Sequence, residues 1–251
     1  GKHLDCPTLR LTNHHGLMIA GEAALSNWDA GMDMYIYGKL GNLIMTKEGI
    51  NVLMTNLTGK VPLILQRLDY IRFNGEAAGY LHDLTLTGLF HTGAGMVKTD
   101  VMMSIDEQSM SRTYSGSVAS ADLDLGKLLN QEKKFGKVDF NVELKGFNYK
   151  NRYPESYIKG IISSFEYSQY QYENIMLDGV YKDGGFNGRL SMDDANGSVQ
   201  IDGNFNVAKT IPDFNLKASV KNLRPHDLHL SDKYENASIS LGLTADFTGK
   251  S

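Results

Sequence analysis

Val199-Gln-Ile-Asp-Gly-Asn-Phe-Asn-Val207 sets apolar or small residues at every odd position and polar residues between them. Successive side chains on an extended strand point to opposite faces, so this period of two makes a strand that is greasy on one side and wet on the other. The same beat recurs elsewhere. Val138, Phe140, Val142 and Leu144 alternate with Asp139, Asn141, Glu143 and Lys145. Phe214, Leu216, Ala218 and Val220 alternate with Asn215, Lys217, Ser219 and Lys221. Ile239, Leu241, Leu243, Ala245 and Phe247 alternate with Ser240, Gly242, Thr244 and Asp246. Looser versions run from Leu17 to Leu25, Met32 to Gly38, Ile71 to Gly79, Val97 to Ile105 and Ile175 to Met192.

Turn signals separate these runs: His15-Gly16, Glu48-Gly49, Gly93-Ala-Gly95, Asp183-Gly-Gly185 and Asn196-Gly197. Asn-Gly and Asp-Gly supply the positive φ that tight antiparallel hairpins need. Helical patterns are scarce. Leu123 to Asn130 and Pro62 to Leu68 each suit a short helix or a turn, with Lys127, Lys133 and Lys134 placed to favour the C-terminal dipole of the first. Glycines inside strands, among them Gly75, Gly79, Gly179, Gly188, Gly203 and Gly242, loosen pairing locally and let a sheet bend. The expected fold is all-β: a long antiparallel meander of repeated units with short helical connectors.

The units show in the spacing. Tyr114, Val118, Leu123 and Leu128 return one hundred residues later as Phe214, Ala218, Leu223 and Leu228. Val97, Asp100, Met103 and Ile105 match Val199, Asp202, Phe205 and Val207 at a slightly different offset. Stacked copies of one β unit explain this. The chain divides into a first segment, 1–135, and a second, 136–251, that continues the same sheet.

Composition bounds the function. The 251 residues are 41% apolar and 22% charged with only 5 prolines, which is a globular balance. Lys plus Arg number 25 against 29 Asp plus Glu, a net charge of −4, so there is no basic excess to hold a nucleic-acid backbone. A single cysteine, Cys6, excludes an internal disulfide. No run reaches the 18 or so apolar residues of a membrane-spanning helix. The chain opens on Gly1 and is expected to be an excised fragment without its targeting signals.

Residues that carry chemistry are few. His226-Asp-Leu-His229 has spacing for two ligands of a metal, but no third ligand follows, and the pair is expected in a solvated loop. Asp193-Asp194-Ala-Asn196-Gly197 lacks the spacing of a calcium loop and fits a polar hairpin tip. Phe165, Tyr167, Tyr170, Tyr172 and Tyr181 suit half-buried strands as well as a stacking platform. No nucleophile elbow, phosphate loop or dinucleotide fingerprint occurs. The expectation is a protein with no catalytic residues, metal or cofactor.

The run Leu177-Asp-Gly-Val-Tyr-Lys-Asp-Gly-Gly-Phe-Asn-Gly-Arg-Leu-Ser-Met-Asp-Asp-Ala-Asn-Gly-Ser-Val-Gln-Ile-Asp-Gly203, followed by Pro212-Asp-Phe-Asn-Leu216, resembles the AsmA-like family. The likeness is to its TamB branch, from the translocation and assembly module, in the form found in Bacteroides-like bacteria. Tyr114-Ser-Gly-Ser-Val118, Asp122-Leu-Asp-Leu-Gly-Lys-Leu-Leu129 and Gly136-Lys-Val138 look like the same family's repeat junction. The resemblance covers about Leu9 to Gly249. It implies a β sheet curled lengthwise into an open, apolar-lined, taco-like trough. It further implies a periplasmic protein whose parent is anchored in the inner membrane of a Gram-negative bacterium. That family is associated with phospholipid transport between membranes and with outer-membrane biogenesis alongside a BamA-like barrel, reached through parts that this chain does not contain.

A one-sided greasy sheet must close, pack a second layer, or hold apolar cargo. If it is a hydrophobic groove, its expected lining is Val138, Phe140, Val142, Leu144, Val199, Ile201, Phe205, Val207, Phe214, Leu216, Ala218, Val220, Ile239, Leu241, Leu243 and Phe247, and its partners are phospholipid acyl chains. The alternative is a closed β core that acts as a scaffold for outer-membrane protein assembly and offers strand edges to clients.

Overall fold

The structure is a computed structural model that describes residues 2–106, 108–109, 111–148, 155–206, 213–233 and 235–248, with the side chains of 57, 58, 205, 213, 214, 247 and 248 excepted. The strands are β1 (His3–Thr12), β2 (Leu17–Ser26), β3 (Tyr35–Thr46), β4 (Tyr70–Tyr80), β5 (Asp83–Thr92), β6 (Gly95–Ile105) and β7 (Arg112–Asp124). They continue as β8 (Phe135–Asn148), β9 (Glu155–Tyr167), β10 (Tyr170–Lys182), β11 (Gly185–Asp194), β12 (Gly197–Asn206), β13 (Asp213–Leu223) and β14 (Ile239–Thr248). All fourteen form one antiparallel sheet in sequence order, and it does not close into a barrel. Residues 135 and 136 fall at the start of β8, which pairs with β7 on one side and β9 on the other, so the pairing runs unbroken across that point.

A meander sorts its connections. Those leaving odd-numbered strands gather on one rim and those leaving even-numbered strands on the other. The first is the helical rim: it carries α1 (Lys47–Thr58) and α2 (Leu63–Gln66) after β3, and α3 (Leu125–Leu129) after β7. Of the helix or turn expected at 123–130 and at 62–68, the helix forms at both, as α3 and α2. Glu48-Gly49, expected as a turn, instead lies in the first turn of α1. Thr46 caps that helix by accepting from the Gly49 N–H, and Gly59 ends it in the left-handed conformation. Ile50, Leu53, Met54 and Leu57 give the segment the apolar period of a helix.

Only nine apolar side chains are buried among the described residues, and most gather at the helical rim. Ile50 of α1, Leu68, Ile71 of β4, Ala94, Leu123 and Val138 form one cluster, joined by Leu65, Leu125 and Leu128 from the helical connectors. Among the described residues the α-helices pack at this rim, α1 on β3 and β4 and α3 on β8, while one 3-10 turn, Gly31–Asp33, lies on the other rim where a strand was expected to begin at Met32. The accessible surface is 15925 Å² for 27.8 kDa, against about 11,000 Å² for a compact monomer of that mass. That excess is what a sheet with one layer leaves exposed.

The hundred-residue repeat is visible in the backbone. Leu123 of β7 pairs with Val138 of β8 across a register shift, and Leu223 of β13 pairs with Ile239 of β14 across the same kind of shift. Asp122 and Asn222 stand at φ 53° and 49° in the two shifts. Three strands after β7, Asn174 of β10 takes φ 52° at the same rim.

Candidate functional site

Directly opposed residues of antiparallel strands share a face, so the register can be followed across the sheet. One row runs Leu9, Gly21, Leu40, Gly75, Gly88, Thr99, Val118, Val142, Gly160, Leu177, Leu190, Ile201, Ala218, Leu243. The adjacent row includes Ala77, Leu86, Val101, Gly116, Leu144, Ile158, Gly179, Gly188, Gly203, Leu216 and Ala245. A third, toward the helical rim, includes Phe73, Phe90, Val97, Phe140, Ile162, Ile175, Met192, Val199, Val220 and Leu241. Every strand contributes apolar residues to the same face.

Glycine concentrates in the first two rows for a steric reason. A Cβ on Gly116, at φ 141°, would sit 2.0 Å from the Asp100 carbonyl oxygen of the next strand. One on Gly203, at φ 142°, would sit 2.2 Å from that of Asn215. Neighbouring backbones approach so closely there that no larger residue fits.

The two faces differ in exposure. Along β5 and β9 to β12, most apolar-row residues are half-buried while most of their neighbours in sequence are exposed. Of the residues expected to line a groove, Phe140, Val142, Leu144, Val199, Ile201, Leu216, Ala218 and Val220 are half-buried on this face. Val138 is 3% exposed because α3 and the rim cluster cover it. Ile239, Leu241 and Leu243 share the face but stand 37%, 46% and 50% exposed on the edge strand. Phe205, Phe214 and Phe247 occupy opposed backbone positions in a row toward the other rim. Val207 lies outside the described residues.

The opposite face carries a charge ladder. Glu143, Lys159, Asp178, Arg189, Asp202 and Lys217 oppose one another in turn from β8 to β13. Lys159 lies 3.6 Å from Asp178, and Arg189 lies 3.0 Å from Asp202. Each exposed pair contributes little to stability, but together they set register and keep this face wet. The alternation is broken by Ile161 and Met176, an opposed pair on this face that is about half exposed. A depression of about 420 Å³ on this side takes in Met102, Tyr157 and Val180.

Polar bonds tie the connectors to the helical rim. The Arg67 guanidinium donates to the Leu128 carbonyl, and Lys127 Nζ lies 2.6 Å from Asp69 and 3.0 Å from the Gly93 carbonyl. The hydrogen bond and charge of Lys127 hold the Asp69 carboxyl below the usual carboxylate range. Leu228 is fully buried, and its carbonyl accepts from Tyr172 Oη at 2.7 Å. His229 Nδ1 lies 2.9 Å from the Ser168 carbonyl, and His226 lies 3.7 Å from Asp227. Asp194 accepts from the Asn196 N–H and from Tyr170 Oη at the hairpin tip, the place expected for it. Burial first, and then the Asp194 hydrogen bond, push the Tyr170 phenol up to about 12.

Within the apolar rows the polar exceptions are short hydroxyls. Ser120 Oγ donates to the Val138 carbonyl. Thr99 Oγ1 is buried without a hydrogen-bond partner among the described residues. No family model, curated protein or solved structure matches the chain.

Proposed function

We propose that the apolar face is the inside of a curled, open trough that shelters phospholipid acyl chains, and that the chain is a segment of a lipid conduit between two membranes. The observation that carries this reading is the unbroken register: fourteen strands present apolar rows to one face, while among the described residues the α-helices pack at one rim. Glycines at the close approaches of the two middle rows suit strands that bend there. The apolar rows are half-buried although no helix packs over their middle among the described residues, while the larger depressions of the surface are lined by the opposite, polar face.

Magnitudes are consistent. Fourteen strands at about 4.8 Å spacing give an apolar strip roughly 60 Å long. Three intervals between four rows span about 20 Å, enough for a lipid tail from one leaflet of a hydrocarbon core about 30 Å thick. Sheltering a methylene is worth about 0.8 kcal/mol, so ten of them supply about 8 kcal/mol before ordering costs. A lining whose polar interruptions among the described residues are short hydroxyls, Ser120 and Thr99, and no charge, lets tails slide.

The resemblance to the TamB branch supports placing this work in the periplasm of a Gram-negative bacterium, with a parent anchored in the inner membrane. A BamA-like barrel is then met by other parts of the parent. In this reading no residue does catalytic work. The test is native mass spectrometry and lipid extraction of the purified chain. Phospholipid should copurify, and it should be lost in Leu190→Glu and Leu216→Glu with the strand signal in circular dichroism retained. A lipid-free chain that unfolds on either change would instead mark these residues as a sealed core.

A further inference from the structure

We infer that a phospholipid in the trough lies along the strands in one direction, with its tail ends at the helical rim. Its ester and phosphate oxygens then sit at the hydroxyls of Tyr114, Ser156 and Tyr181, near the other rim. The inference rests on the trough reading above and adds the direction in which a lipid sits.

The helical rim is dry. All nine buried apolar side chains lie at it or in the row beside it, and no charged side chain is buried among the described residues. A phosphate placed there would give up its water with nothing to replace it, which is costly for any charge. Terminal methyls gain by the same move.

The row nearest the other rim is built differently. Met103, Tyr114, Gly146, Ser156, Tyr181 and Phe186 oppose one another in turn from β6 to β11, on the apolar face. Met103 is 46% exposed and Tyr181 42%, so this part of the face is open to water. Tyr114 Oη and Ser156 Oγ share a hydrogen bond, and the Tyr114 ring lies across Gly146, where a Cβ would strike it. Three hydroxyls thus stand within four adjacent strands, β7 to β10. The three rows between here and the helical rim hold only Thr99 and Ser120 as polar residues, and the two middle rows hold no aromatic one. Tyrosine joins an apolar body to a wet tip, which suits the boundary between a tail and a head. Three row intervals, about 20 Å, separate Met103's row from that of Ile175 and Met192, so the two ends of a tail are far enough apart to be told from each other.

The probes are phosphatidylcholines carrying a nitroxide either on the headgroup or near a chain end. They are added to the whole chain with Cys6→Ser and a bimane on either Met103→Cys or Ile175→Cys. The headgroup nitroxide should quench position 103 several times more strongly than position 175, and the chain-end nitroxide should do the reverse. Should Ile175→Cys fail to fold, Met192→Cys, opposed to it on β11, takes its place. Bound lipid with the opposite pattern, or with equal quenching at both positions, would overturn the direction and leave the trough reading standing. Uptake of neither probe would overturn both. Tyr114→Phe with Tyr181→Phe keeps both rings, removes two hydroxyls and should weaken uptake about tenfold. Unchanged uptake would overturn the part given to these hydroxyls.

Discussion

Asp122 and Asn222 occupy the left-handed region one hundred residues apart, each directly before the leucine that turns its strand into the helical rim. Both residue types tolerate that conformation because a short polar side chain bonds locally. The Asn222 N–H donates to Ser240 Oγ at 2.9 Å, and the Asp122 N–H donates to Asp139 Oδ1 at 2.5 Å. Asn222→Gly should therefore stay within a few tenths of a kcal/mol of the native stability, and Asn222→Val should cost about 1–2 kcal/mol. Urea unfolding of the two variants checks the difference.

The turn between β9 and β10 is the reverse case. Ser168 and Gln169 stand at φ 51° and 65°, a conformation that Asn-Gly adopts readily and this pair does not. Contacts from outside hold it: the Ser168 N–H donates to the Lys134 carbonyl, and His229 meets the Ser168 carbonyl. Ser168→Asn with Gln169→Gly should raise the unfolding free energy by about 1 kcal/mol, read as a higher urea midpoint at unchanged slope.

These two sites show where the sequence is legible. Alternation exposes strands because the pleat imposes period two on any half-buried strand, and Asp183-Gly184 marks its hairpin because both residues take positive φ, 51° and 76°. Ser168-Gln169 carries no such mark, since tertiary contacts set its geometry. α1 hid because Glu48-Gly49 mimics a turn, although Thr46, Ile50, Met54 and Gly59 spell cap, face and stop. The apolar rows were legible strand by strand. Their alignment across the sheet was not, because register depends on bulges at Asp122, Asn174 and Asn222 that composition does not announce. The exposed pair Ile161 and Met176 followed from no local pattern.

Thr99 interrupts its row with a buried hydroxyl that no partner satisfies among the described residues. Such a group costs its desolvation without the return of a bond. Thr99→Val, nearly the same shape, should stabilise the chain by about 1 kcal/mol, measured by denaturant unfolding. The change also makes the row wholly apolar, so bound phospholipid should be retained.

Tyr170 gives the alkaline limit. Its folded pKa of about 12 lies above the ordinary value near 10, so between these pH values the unfolded chain releases a proton that the folded chain keeps. The stabilisation is fully present below about pH 10 and is lost as pH rises through 12. Tyr170→Phe should flatten the fall in stability across that window and remove one late-ionising phenol from the near-ultraviolet titration. An unchanged titration would place the late group elsewhere.

The packed rim and the open rows must respond differently to truncation. Ile50 is 1% exposed within the rim cluster that also holds Leu68 and that Met45 and Met54 pack against, so Ile50→Ala leaves a cavity and should cost about 3 kcal/mol. Leu190 in the middle row is half-buried with no helix packed over it, so Leu190→Ala removes transfer energy with no closed cavity and should cost about 1 kcal/mol in lipid-free protein. Adding phospholipid should widen the penalty at Leu190 and leave that at Ile50 alone, because only the first side chain then loses a partner. Equal penalties of about 3 kcal/mol at both positions without lipid would mean that the middle rows are already a dry core.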